Sequence, residues 1–306
     1  MSPGVSERVL RVGDVVALPG ASARGHLPAG EYPDGTPVSL PVILVNGAAP
    51  GPCLLLTAGM HAPEVPGIEV IRILTREVLD PRRLGGAVIA APLLNPWGFH
   101  QHSMLTPQDG YNLNRVFPGR PESLTSARLA HVIHEHLVRP ADALVDLHAN
   151  PLPALQFTIV KDVGDAEVLQ RSLAMAQAYG VTTIQMQTAY EAHRVGTMVE
   201  VAAAAGKPGI TVELVAWRRI EAEGVDSGVR GVLNVLKHLG MLDGAVERQT
   251  VPRLPEQRLT RLELTADRGG VIHPLVGVGE PIHQGQPIAQ IRDLFGDVVD
   301  QLYSPR

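Results

Sequence analysis

The chain has 306 residues, 45% of them hydrophobic, enough to bury a large core as one big domain or a big domain with a small companion. A net charge of -5 and the lack of any dense Lys/Arg cluster argue against nucleic acid as a main partner and favour small solutes. Residues 1–16 show no basic start followed by an apolar stretch, and no segment reaches the roughly 18 uninterrupted apolar residues of a membrane span. The chain is expected to be soluble and cytoplasmic, with no membrane partner. Its single cysteine, Cys53, heads an apolar run and reads as a buried thiol in a reducing compartment.

Taken in order, Arg8 to Ala17 and Pro37 to Val45 are β-like runs parted by Gly and Pro clusters, a peripheral layer feeding a sheet. Cys53 to Thr57 is a short buried strand. It runs into Gly59, then His61 and Glu64, before Val65 to Leu79 repeats Ile68, Ile71, Leu74 and Val78 at helical spacing. Pro66 fits the first helical turn, where its missing donor would be unpaired anyway. Ala87 to Leu94 is a continuous apolar run of the kind a strand buried on both faces shows. The loop from Asn95 to Gly119 is too long and too polar for a simple connection, and long loops at strand ends are where sites are built.

Ser126 to Val138 is a helix with Leu129, Val132, Ile133 and Leu137 inward, and Ala143 to Leu147 is a strand that delivers His148. Further strands at Leu155 to Val160 and Ile210 to Val215 alternate with helices near Val168 to Tyr179 and Val229 to Leu239. That alternation predicts an α/β fold with a mixed, mostly parallel sheet flanked by helices. After Gly244 the texture changes, and from Arg258 short strands are broken by repeated glycines. The expected division is a catalytic unit over 1–245 and a small C-terminal all-β unit over 246–306.

The chemistry begins with His61 and Glu64, three apart in a turn entering a helix. A hydrolytic zinc needs three protein ligands and one open position, with N or O donors at about 2.0 to 2.2 Å. His148, at the end of its own strand, is the third candidate, because strand ends on one edge of a parallel sheet converge. His131, His134 and His136 lack the HExxH spacing and read as ordinary helix residues.

His61-Ala-Pro-Glu64, the loop ending Asn112-Leu113-Asn114-Arg115-Val116-Phe117-Pro118-Gly119, Asp146-Leu147-His148 and Thr211-Val212-Glu213 occur in the order found in the succinylglutamate desuccinylase/aspartoacylase family. The chain resembles that family, a branch of the zinc carboxypeptidase-like fold, over nearly its whole length. The resemblance implies one Zn2+ per chain held by His61, Glu64 and His148, with Glu213 as the catalytic carboxylate that serves as base and then acid. It puts Asn114 and Arg115 on the pair that holds the substrate carboxylate, a task suited to the planar fork of arginine. Asn112 stands where many members carry an Asp that orients the first zinc histidine. Asp146, on the same side of its strand as His148, is a second orienting group.

Two positions depart from the family pattern. Met104 stands where an oxyanion-stabilising Arg is often found, so that either His100 or His102 donates instead, or the metal carries more of that charge, or the reaction differs from the family's. Ala62 stands where a Gly often follows the His, and Pro63 should stiffen the turn. The C-terminal stretch is similar to the family's β domain but stops early at Tyr303-Ser-Pro-Arg306, and an uncovered edge there predicts a homo-oligomer. The expected activity is a zinc-dependent amidohydrolase acting on an N-acyl amino acid or similar small carboxylate. A zinc carboxypeptidase or peptide amidase is the alternative within the same site, and a non-catalytic metal-binding protein is the alternative outside it.

Overall fold

The computed structural model describes residues 9–150, 153–187, 196–254 and 262–305. Arg8, where the first β-like run was expected to begin, Arg258 and the terminal Arg306 lie outside the described residues. In chain order the strands and helices are β1 (Leu10–Val12), β2 (Val15–Ala17), β3 (Ala21–Glu31), β4 (Pro37–Asn46), β5 (Ala49–Thr57), α1 (Pro66–Ile73) and β6 (Gly85–Ala91). There follow α2 (Pro96–His100), α3 (Thr125–Ile133), β7 (Ala143–Ala149), β8 (Phe157–Asp162), α4 (Ala166–Tyr179), β9 (Thr182–Gln187), α5 (Met198–Ala204), β10 (Gly209–Leu214) and α6 (Ala222–His238). The last three strands are β11 (Val271–Pro274), β12 (Pro287–Arg292) and β13 (Val298–Tyr303).

The strands from β3 to β10 make one eight-stranded sheet in the order β3-β4-β6-β5-β7-β10-β8-β9. Its centre is parallel: β6, β5, β7 and β10 all run the same way. β3 and β4 join antiparallel on one side, and β8 joins antiparallel on the other before pairing in parallel with β9. The expected mixed, mostly parallel α/β fold is therefore the observed one, and β11-β12-β13 form the expected small antiparallel C-terminal sheet. Among the described residues, no helix is long and apolar enough to cross a membrane.

Strand alternation divides the core into two layers. Leu55 and Leu144 pack with α3 and α5 residues such as Leu129 and Met198, while Leu54, Leu56, Val145, Leu147, Val212 and Leu214 pack with α1, α4 and α6. Side chains alternate, so Thr57, Asp146, His148 and Glu213 all face the α3/α5 side. The division of faces thus decides where the polar cluster stands.

Several sequence-derived bounds shift. The helix expected over Val65 to Leu79 is α1 continued by a wider π-type turn to Val78, and α3 is continued in the same way to Val138. α6 begins at Ala222, well before Val229, because three glycines that weaken its local signal lie where it packs closely. A Cβ on Gly231 would stand 2.3 Å from the ring of the fully buried Tyr179 on α4. β3 and β9 were not anticipated: their Gly, Pro and Gln positions obscure the β alternation. Residues 246–254, counted with the C-terminal unit in the sequence division, lie along the main body. Asn234 donates from Nδ2 to the Glu247 carbonyl at 2.7 Å, Gln249 Nε2 donates to the Tyr179 carbonyl at 2.9 Å, and Val251 is buried in the second core layer.

Candidate active site

β5 ends at Thr57, and the chain turns sharply at Gly59, whose φ of 61° and whose closeness to Leu93 leave no room for a side chain. Next comes the turn His61-Ala62-Pro63-Glu64, closed by the Glu64 N–H donating to the His61 carbonyl at 3.1 Å, and α1 begins at Pro66. β7 brings Asp146 and His148 to the same edge of the sheet, and β10 brings Glu213. This is the C-terminal edge of the parallel strands, where sites form in open α/β sheets.

His61, Glu64 and His148 are brought together and buried, and one ligand atom from each lies within 4.8 Å of the others. Nδ1 of His61 is 2.8 Å from Oε1 of Glu64, and Nδ1 of His148 is 2.9 Å from its Oε2. The far side of each ring is occupied. Asn112 Oδ1 accepts from the Asn114 N–H at 2.9 Å, which fixes it as the amide oxygen, and it lies 3.1 Å from Nε2 of His61. Asp146 Oδ2 lies 2.8 Å from Nε2 of His148, and its Oδ1 accepts from the Thr57 hydroxyl at 2.7 Å. Both Nε2 atoms therefore carry hydrogen and donate outward, so both Nδ1 atoms turn toward the carboxylate of Glu64.

The electrostatics follow from this dry cluster. Burial alone would raise the Glu64 carboxyl, but His148 and then His61 outweigh it and hold it at about 2. Burial disfavours a charged His148, yet Asp146 and Glu64 outweigh burial and raise it well above its ordinary value. Glu213 forms no hydrogen bond with the cluster among the described residues. Burial pushes its carboxyl up to about 7; His148 and His61 pull it back, while Glu64 and Asp146 push it further. A carboxyl near neutrality beside a group of metal-ligating type is suited to proton transfer.

The long loop from Asn95 to Gly119 is built, not slack. Asn95 is buried and accepts from the Gly98 N–H at 2.9 Å, capping α2. Asp109 accepts from both the N–H and the hydroxyl of Ser126 at 2.7 Å and so caps α3, whose own N-cap residue Leu124 offers no side-chain bond. A short turn over Leu113–Arg115 then presents Asn114 and Arg115. Asn114 Oδ1 accepts from the Met198 N–H at the start of α5 at 2.9 Å, and Nδ2 ends 3.4 Å from Nε2 of His148. Arg115 is exposed, and its Nη1 donates to the Asn114 carbonyl at 2.7 Å. It is not tied to Asp109 or Asp146, which are engaged elsewhere. Met104 is half-buried on the same loop. Glu200 completes a capping box on α5, its Oε2 accepting from the Thr197 N–H at 2.8 Å.

Thr57, Met198 and the strained turn after β10 were missed by sequence reasoning. Thr57 reaches Asp146 only because the two are register partners across β5 and β7. After β10, Ala216 and Arg218 take φ values of 72° and 66°, and the Arg218 N–H donates to the Pro63 carbonyl at 2.9 Å, bracing the His61 turn. No local pattern marks either contact.

The catalytic-domain model of succinylglutamate desuccinylase/aspartoacylase matches residues 50–239. The chain belongs to the succinylglutamate desuccinylase/aspartoacylase family. That stretch contains the triad, the Asn112 to Arg115 loop and Glu213. The chain is 30% identical over 264 residues to N-alpha-acetyl-L-2,4-diaminobutyric acid deacetylase from Halomonas elongata, covering 84% of this chain and 75% of that one. A succinylglutamate desuccinylase/aspartoacylase structure from Rhodobacter sphaeroides superposes with a TM-score of 0.80 at 28% identity, covering 92% of this chain and 87% of that one. A metallo-carboxypeptidase from Burkholderia cenocepacia shares the fold more distantly, with a TM-score of 0.53 at 16% identity over 71% of this chain and 65% of that one. This family membership supports hydrolase activity on amide bonds.

Proposed function

We propose that this chain is a zinc-dependent amidohydrolase that cleaves the amide of an N-acyl amino acid, releasing the amine and a carboxylic acid. The observation that carries the reading is the juxtaposition of a His61/Glu64/His148 cluster with Glu213, a carboxyl held near 7 one strand away. The donor set fits zinc: two imidazole nitrogens aimed inward by partners on their far sides, and a carboxylate between them. When bound there, zinc supplies Lewis-acid polarisation of a carbonyl and acidification of water.

The chain's own groups do the rest. A Glu213 oxygen takes the proton from the attacking water as the C–O bond forms, and returns it to the amide nitrogen as the C–N bond breaks. Asn114 and Arg115 grip the substrate carboxylate, Arg115 through donors other than the one it gives to the Asn114 carbonyl. Asn112 and Asp146 hold the histidine rings. The Halomonas elongata relative, named for deacetylating an N-acetylated diamino acid, supports this choice over a peptidase.

The rest of the proposal concerns setting. The catalytic unit and a small β unit divide the chain, the segment up to Leu254 going with the former on its contacts. The buried thiol of Cys53 fits a cytoplasmic protein. Leu294 and Phe295, 91% and 94% exposed at the tip of the β12–β13 hairpin, support a homo-oligomer. The test is amine release from N-acetyl, N-succinyl and N-acetylated diamino acids, with blocked dipeptides as the peptidase control. Release from acylated amino acids that chelation abolishes and Zn2+ restores supports the reading; no release from any of them by zinc-reconstituted protein contradicts it.

A further inference from the structure

Two members of the triad sit in the turn His61-Ala62-Pro63-Glu64, and little main chain holds that turn from outside. Among the described residues, the Arg218 N–H donating to the Pro63 carbonyl at 2.9 Å is the one main-chain bond the turn takes from beyond itself and α1. Arg218 belongs to the turn that leaves β10, the strand of Glu213. One bond thus joins the strand of the proposed base to the segment that carries two of the proposed metal ligands.

The turn that supplies this bond is strained. Ala216 and Arg218 hold φ of 72° and 66°, left-handed backbone that glycine takes freely and a side chain disfavours. Such a conformation persists only where its surroundings enforce it. The Arg218 guanidinium lies over the Trp217 indole, 4.2 Å from the ring centroid, while the neighbouring Arg219 pairs with Glu221 at 2.5 Å. The indole Nε1–H is buried with no acceptor, a cost that phenylalanine would not carry. What an indole adds over a phenyl ring is a stronger face for a cation.

We infer that Trp217 and Arg218 are positioning residues for the site. Their stack holds the left-handed backbone at Arg218, which aims its N–H at the Pro63 carbonyl and so fixes the His61 turn against the strand of Glu213. The inference rests on the amidohydrolase reading but goes further, giving a role to two side chains outside the triad, the substrate grip and Glu213. Arg218 is exposed, so its truncation leaves the core intact.

Arg218→Ala, Arg218→Gly, Trp217→Leu and the double variant Trp217→Leu/Arg218→Ala are compared with wild type by competition for zinc against a fluorescent chelator and by steady-state kinetics on the best N-acyl amino acid. Circular dichroism checks that each is folded. Arg218→Ala is expected to lower zinc affinity and kcat each roughly five- to thirtyfold, the span a cation on an indole face supports from exposed to desolvated settings, with KM little changed. Trp217→Leu does the same, and the double variant loses no more than the worse single one, because both break one stack. Arg218→Gly loses less than Arg218→Ala, since glycine takes a φ of 66° without the stack. Unchanged zinc affinity and kcat in folded Arg218→Ala overturns the inference, as does a glycine variant that loses as much as the alanine one, or losses that multiply in the double variant. A rise in KM alone also overturns it, placing Arg218 in substrate binding instead. The alanine and glycine comparison decides the matter whether or not Trp217→Leu folds. Zinc affinity is read without turnover, so a chain that releases no amine fails the amidohydrolase reading while zinc still decides the brace: weaker binding in Arg218→Ala than in Arg218→Gly upholds it, and equal binding across the variants overturns it.

Discussion

Glu213 stands opposite His148 in the parallel register of β10 and β7, so a carboxyl near neutrality and a histidine of the triad share one sheet face on neighbouring strands. Register, not sequence distance, creates this relationship. On the proposed function it would let two groups serve one substrate from separate rigid elements, the placement that holds a site to the accuracy proton transfer needs.

Asp146 holds Nε2 of His148 while Thr57 holds Asp146, a chain of two hydrogen bonds behind one histidine of the proposed zinc site. Asp146→Asn keeps the shape but removes the charge, so zinc affinity is expected to fall by roughly 10- to 100-fold. Thr57→Val should do less, since it removes one neutral donor. Competition for zinc against a fluorescent chelator measures both.

Zinc binding should strengthen as pH rises through neutrality. His148 is held above its ordinary value in the metal-free protein, and an ion must displace the proton from Nδ1. The same raised value means that this group's contribution to metal-free stability is present below the unfolded pKa of 6.5 and is lost as pH rises through the higher folded one. Glu64, held at about 2 against 4.5 when unfolded, contributes stability above 4.5 that is lost as pH falls toward 2. Calorimetry at pH 6 and pH 8 should show tighter zinc binding, with proton release, at the higher pH.

Arg115 is exposed and, among the described residues, has one intramolecular bond, to a backbone carbonyl, so its truncation should leave folding intact. Arg115→Ala is expected to raise KM by roughly tenfold, the low end for a charge-assisted hydrogen bond because water competes at this position. Arg115→Lys should recover only part of that loss, since a point charge lacks the fork. Steady-state kinetics on the best acyl amino acid distinguishes the two.

The close approach of α6 to α4 is testable by stability alone. Gly231→Ala drives a methyl into the Tyr179 ring and should destabilise by about 1 to 3 kcal/mol. Gly269→Ala, with nothing within 4 Å of its added carbon, should change stability little. Urea unfolding of both variants measures the contrast.

What was legible in the chain was local. The apolar run ahead of His148 and the helical repeats follow from periods of 2 and 3.6 and correspond to β7 and to helices, while His61 and Glu64 were visible as a pair three apart in the turn between β5 and α1. What escaped was set by pairing across the sheet. β8 begins at Phe157 and runs antiparallel to β10, which no pattern within Leu155 to Val160 announces, yet it decides what lies beside Glu213. Thr57 and Met198 act only through partners distant in sequence. Ala216 and Arg218 occupy left-handed backbone without the glycine that would signal it.

The most direct test compares wild type with Glu213→Gln, measuring zinc content and amine release on the same samples. The account predicts one zinc per chain in both proteins, with release from N-acyl amino acids in wild type reduced roughly 100- to 10,000-fold in the variant. Full zinc occupancy with equal, negligible release from both proteins would contradict it and leave a metal-binding protein without this chemistry.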